Sequence, residues 1–173
     1  MQIDINNFQP FQHDKQESKN QLINFARTQD VSKVEGVFTA TLIYTNLVDY
    51  LAKHLLENLR KMVCIDTYKR FGGVFYYDPN NQRINLSLGE LCNNLDHFDF
   101  PDKKDLMENL RKFSKLRNQI MHNLMQLDLT NNAAQFEQDL KNVSALAEEV
   151  LLKYNIIVRG VTTVWQVANN PQQ

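Results

Sequence analysis

The chain has 173 residues, with 19 Lys plus Arg against 20 Asp plus Glu, 43% hydrophobic residues, 5 Gly, 4 Pro and 2 Cys. This is the composition of one globular domain, able to bury roughly 70% of the surface its unfolded chain exposes, and it excludes collagen-like, disulfide-stapled and fully disordered chains. A formal net charge of −1 excludes a protein that holds nucleic acid by bulk positive field, so such a partner would need a local basic patch.

Cys64 and Cys92 are too isolated to form a disulfide framework or a Cys-x-x-Cys metal pair, and both read as reduced core residues. The segment after Met1 has neither a basic start nor an apolar run. The apolar-leaning stretch 156–167 is broken by Arg159 and Gly160. No export signal or membrane anchor is expected, and the expected location is cytoplasmic.

In chain order, residues 1–12 form a polar lead ending near Pro10, and residues 13–173 read as a single helical domain. Leu22, Ile23, Phe25 and Ala26 among charges at 13–29 predict a short amphipathic helix flapped onto the core. Asp30 and Ser32 are candidate caps for the main core helix, in which Val34, Val37, Phe38, Thr41, Tyr44, Val48, Leu51, Leu55, Leu59 and Met62 recur at helical spacing. Gly72 and Gly73 end that pattern.

Two runs of strand-forming residues, Val74 to Tyr77 and Arg83 to Ser87, flank the turn chemistry of Asp78-Pro79-Asn80-Asn81, which predicts a small β-hairpin near 74–87. Ser87 and Glu90 have capping-box spacing and open a short helix to about Asp96. Asp102, after Pro101, starts a helix expected to reach Met125. Thr130 is a candidate cap for a last helix presenting Phe136, Leu140, Val143, Ala147, Val150, Leu151 and Tyr154. From Asn155 onward the β-branched residues favour strand or irregular structure. The fold class is therefore mainly α: a compact bundle of about four to five helices with a small β-hairpin insertion.

The helix from Asp102 carries the chemistry. Leu106, Leu110, Phe113, Leu116, Ile120 and Leu124 share one arc, while Lys104, Arg111, Lys115, Asn118 and His122 fall within about 60° on the other side. Arg117 projects among the apolar residues, where a guanidinium must snorkel, find a buried ion pair or be kept for work at an interface. Lys104, Arg111 and Lys115 form a basic track that could contact phosphates, or equally a solvated face paired with Asp105 and Glu108. Asn46, Asp49 and Tyr50 on the core helix could support a site there, but read first as water-facing polar groups that cap its flank.

Other constellations are weak. His54-Leu55-Leu56-Glu57 lacks the second His of a zinc-protease helix, Phe71-Gly72-Gly73-Val74 ends a helix where a phosphate loop would open one, and no Gly-x-Ser-x-Gly occurs. No cofactor and no metal site are expected.

The string Lys115-Leu116-Arg117-Asn118-Gln119-Ile120-Met121-His122 resembles the signature of the HEPN family of helical domains, an Arg followed by a polar residue and separated by four to six residues from a His. Leu124 stands where some members have Tyr, so the general family is a better match than its nucleotidyl-transfer toxin–antitoxin subgroup.

The resemblance implies a metal-independent endoribonuclease acting as a homodimer, in the stress-response or defence settings common in that family, or alternatively a non-catalytic dimer that binds a regulatory protein partner. On the first alternative His122 is the general acid or base, Arg117 binds phosphate and stabilises the transition state, and Asn118 orients. Lys104, Arg111 and Lys115 would hold the RNA. The residue types suit 2′-hydroxyl attack on phosphorus, because imidazole titrates near neutrality and guanidinium offers a permanently charged fork. Arg117 and His122 point about 140° apart on one helix, which favours a site composed across two chains.

Overall fold

The apolar residues that recur at helical spacing after Asp30 form one long helix, and the other periodic segments form four more. The computed structural model describes residues 8–12, 16–30, 32–73, 86–126 and 133–169. Among them lie α1 (Gln16–Arg27), α2 (Val34–Arg70), α3 (Leu88–Leu95), α4 (Lys103–Gln126) and α5 (Ala133–Asn169), and no strand. The mainly helical class is thus observed. Of the expected hairpin near 74–87, residues 74–85 lie outside the described residues, and Leu86 and Ser87 lead into α3 without strand structure. Thr130 also lies outside them.

The helix ends follow local chemistry, with one exception. Ser87 caps α3 as a full capping box: its hydroxyl accepts from the Glu90 backbone, and the Glu90 side chain returns to the Ser87 backbone at 2.7 Å. Gly72 and Gly73 close α2 in the left-handed region, with φ of 59° and 81°. At the start of α2, however, the cap position falls on Lys33, which makes no side-chain cap bond. Asp30 Oδ1 accepts instead from the backbone and hydroxyl of Ser32, at 3.1 and 2.6 Å, and so closes the preceding turn.

The tail from Asn155 is helix, not strand or irregular chain, because α5 continues unbroken to Asn169. β-Branched residues lower helix propensity by only a few tenths of a kcal/mol each, roughly, whereas burying an Ile or Val side chain contributes about 1.5–3 kcal/mol. Tyr154, Ile157 and Val161 are all buried. Tyr154 and Ile157, three apart, reach the same core only in a helix. Extending an existing helix also avoids the cost of a new nucleus.

Three contacts fix the register of the two 37-residue helices, each about 55 Å long. Ser144 Oγ donates to Tyr44 Oη at 2.9 Å, His54 Nδ1 meets Tyr154 Oη at 2.5 Å, and Lys69 Nζ donates to Asn169 Oδ1 at 2.7 Å. Every pair is 100 residues apart, so α2 and α5 run parallel and side by side. Lys153 in α5 reaches Asp105 in the first turn of α4 at 2.8 Å, while only residues 127–132 join the far end of α4 to α5; these two helices are therefore antiparallel. α1 is also antiparallel to α5: Arg27 bonds Glu148, and Lys19 lies over the Tyr154 ring.

The core fills the space between these helices, with Tyr44, Leu51 and Leu55 from α2, Leu110, Phe113 and Ile120 from α4, and Val143, Ala147, Val150 and Ile157 from α5. The end of the expected polar lead belongs to it as well. Phe11 is buried, its backbone N–H donates to Asn58 Oδ1 at 2.9 Å, and its ring meets His54 and Tyr154 edge-on. Cys64 and Cys92 are free thiols, the first half-buried and the second buried.

Candidate functional site

The amphipathic pattern of α4 sets its two faces. Leu106, Leu110, Phe113 and Ile120 are buried, while Lys104, Arg111, Lys115, Asn118 and His122 are exposed. Arg117 sits between the two sets, its side chain 19% exposed. Its Nε and Nη2 both donate to Asn118 Oδ1, at 3.1 and 3.0 Å. The Asn118 oxygen is thus engaged with Arg117, one residue back, where the expectation was that Asn118 orients His122 one turn on.

The remaining guanidinium nitrogen, Nη1, faces Asp49 Oδ2 on α2 at 3.9 Å. That is an ion pair but too long for a hydrogen bond. Asp49 Oδ1 is buried and has no hydrogen-bond partner among the described residues. Burial pushes the Asp49 carboxyl above its ordinary range, and the positive charge of Arg117 pulls it part of the way back. Asp49 is therefore a carboxylate with one buried oxygen and its other turned toward α4, closer to the site-supporting role than to a purely water-facing one. The sequence held one signal for it. Asp49 is the sole acidic residue between Glu35 and Glu57, and no charge precedes it after Glu35, as Arg117 is an isolated charge on an apolar arc.

The basic track is unevenly neutralised. Arg111 pairs with Asp96, at the C-terminal end of α3. Lys104 and Lys115 make no ion pair with described residues. The carboxylates expected to pair with the track are taken elsewhere: Asp105 binds Lys153 at 2.8 Å and Glu108 binds Lys112 at 2.6 Å. Both carboxyls are held below their ordinary range by those hydrogen bonds. Cys92, inside the α2–α3–α4 junction, has its thiol pushed up to about 11 by burial, which keeps it protonated and unreactive.

Among the described residues no three His, Cys, Asp or Glu side chains gather to hold a metal ion, and no helix is long and apolar enough to cross a membrane. Two clefts, of about 460 and 160 Å³, flank α1 and are lined by neither Arg117 nor His122. The chain matches no protein-family model, no curated protein and no solved structure. What can be said of the site therefore rests on its own residues. Arg117, Asn118 and Asp49 form one connected polar unit, and His122 and the two lysines extend along the same exposed helix.

Proposed function

We propose that the chain is a HEPN-like, metal-independent endoribonuclease that works as a homodimer on single-stranded RNA. The observation that carries this reading is the state of Arg117: one carboxamide oxygen holds two of its nitrogens, and the third faces a carboxylate too distant to bond it. A guanidinium oriented by a neutral acceptor and left with a polar edge is suited to receive phosphate oxygens. His122, exposed on the same helix, would take the 2′-hydroxyl proton or return one to the leaving 5′-oxygen. Lys104 and Lys115 would track the backbone on either side, and Arg111 would join them on release from Asp96. With Arg117 and His122 directed about 140° apart, each site would combine the Arg117 of one copy with the His122 of the other.

A second reading, a non-catalytic regulatory or partner-binding dimer of the same fold, draws on the Arg111–Asp96 and Arg117–Asp49 pairs, which join α4 to its neighbours structurally. One experiment separates the two: a solution mass measurement, then RNA digestion in excess chelator by wild type and His122→Ala. Loss of a general acid or base should slow cleavage about 10²–10⁴-fold. Activity abolished by the chelator, or fully retained by His122→Ala, rejects the mechanism. A folded dimer that cuts no RNA establishes the second reading.

A further inference from the structure

We propose that Asp49 is the counter-ion that an incoming phosphate displaces from Arg117, and that it thereby limits how tightly the α4 face holds single-stranded RNA. This rests on the RNA-directed reading above and adds to it a residue that controls affinity. Asn118 leaves only Nη1 of Arg117 without a close acceptor among the described residues, and Asp49 Oδ2 stands 3.9 Å from it. The side chains are 19% and 39% exposed, so a phosphate oxygen can approach the pair from solvent. A phosphate on Nη1 exchanges a loose Coulombic contact for a charge-assisted hydrogen bond of about 2.7–2.9 Å.

The other arginine pairs differ in kind. Glu148 grips Arg27 with both oxygens, at 3.1 and 2.7 Å, and Asp66 holds Arg70 at 2.8 Å. Asp49, by contrast, is held near Arg117 by the packing of α2, not by a hydrogen bond to the guanidinium. Its Oδ1 is buried on the α2 side, so once displaced from Nη1 the carboxylate remains close to the guanidinium. It stays beside the site and opposes the phosphate charge. Asp49 is thus a positioning residue acting through Arg117.

Binding of a short 2′-O-methyl RNA, which cannot undergo 2′-hydroxyl attack, tests this when measured over a series of salt concentrations. Asp49→Asn and Asp49→Ser, checked for wild-type helicity by circular dichroism, should each tighten binding about fivefold, the equivalent of one partly exposed ion pair. The plot of log affinity against log salt should steepen by about 0.7, the increment for one more effective phosphate contact on a single strand. Asp49→Glu should restore the wild-type slope, and Arg117→Ala in the Asp49→Asn background should erase the gain. Wild-type affinity and slope in both neutral variants, or a gain that survives loss of Arg117, overturns the role of Asp49. If Arg117→Ala alone leaves binding unchanged, or wild type binds no RNA, the RNA reading itself falls and this inference with it.

Discussion

Helix propensity alone says that replacing Gly36, three residues into α2, by Ala should stabilise the protein by about 1 kcal/mol. The structure reverses the sign. A Cβ at Gly36 would lie 1.9 Å from the Asp30 carbonyl oxygen and 2.6 Å from its carbon, both backbone atoms that cannot rotate aside. Ordinary contact begins near 3.4 Å, so the turn ahead of α2 must retreat by about 1.5 Å. That movement strains the Lys33 N–H to Asp30 carbonyl bond of 3.1 Å, which anchors the turn to the helix start. Overpacking of this kind costs about 1–3 kcal/mol, and loss of the anchoring bond about 1 more. Set against the propensity gain, the net loss is about 2 kcal/mol, or a Tm lowered by about 4–8 °C for a domain of this size. Thermal melting followed by circular dichroism measures it. Gly160→Ala is the control: nothing lies within 4 Å of its added Cβ, and its Tm should rise by about 2–4 °C. A Gly36→Ala protein that melts at or above wild type would refute the close approach.

Ser87→Ala removes the α3 cap and should cost about 1 kcal/mol in a denaturant titration at neutral pH. Hydrogen bonds from Ser87 hold the Glu90 carboxyl low, so its contribution is present above the ordinary glutamate range and fades as pH falls through the lowered value; the difference from wild type should shrink in acid. Asp49 has the opposite sign. Its carboxyl is raised by burial, so wild type loses stability as pH rises through that value. Asp49→Asn should accordingly melt higher than wild type at neutral pH and approach it as the solution is acidified. In the tail, Ile157→Ala should cost about 2–5 kcal/mol, while Val167→Ala should stay within about 0.5 kcal/mol; equal effects in paired melts would contradict the helical phase of α5.

The helices with clear periodicity were legible because each needed only its own residues. The stripe from Val34 to Met62 and the capping box at Ser87 and Glu90 both specify structure within a few turns. The tail was misread for the converse reason. Its β-branched residues express a local preference worth tenths of a kcal/mol, and burial of Tyr154, Ile157 and Val161 against other helices outweighs it. Of the candidate site, Arg117, Asn118 and His122 were singled out by the resemblance of their string to the HEPN signature, and periodicity placed them on α4. Asp49 could be named only as one of three polar residues able to support the site, since its contact with Arg117 depends on which face of α2 meets α4.

By itself, then, the sequence determined that this is a helical protein of near-neutral charge, with a basic, histidine-bearing face on α4 and an arginine out of place on the apolar arc. Tertiary structure alone decided the parallel pairing of α2 with α5, the diversion of Arg111 to Asp96, and the meeting of Arg117 with Asp49. The physical reason is one of range. Propensity, capping and periodicity act between residues a few positions apart, whereas the partner of a charge is settled by helices brought together from distant parts of the chain.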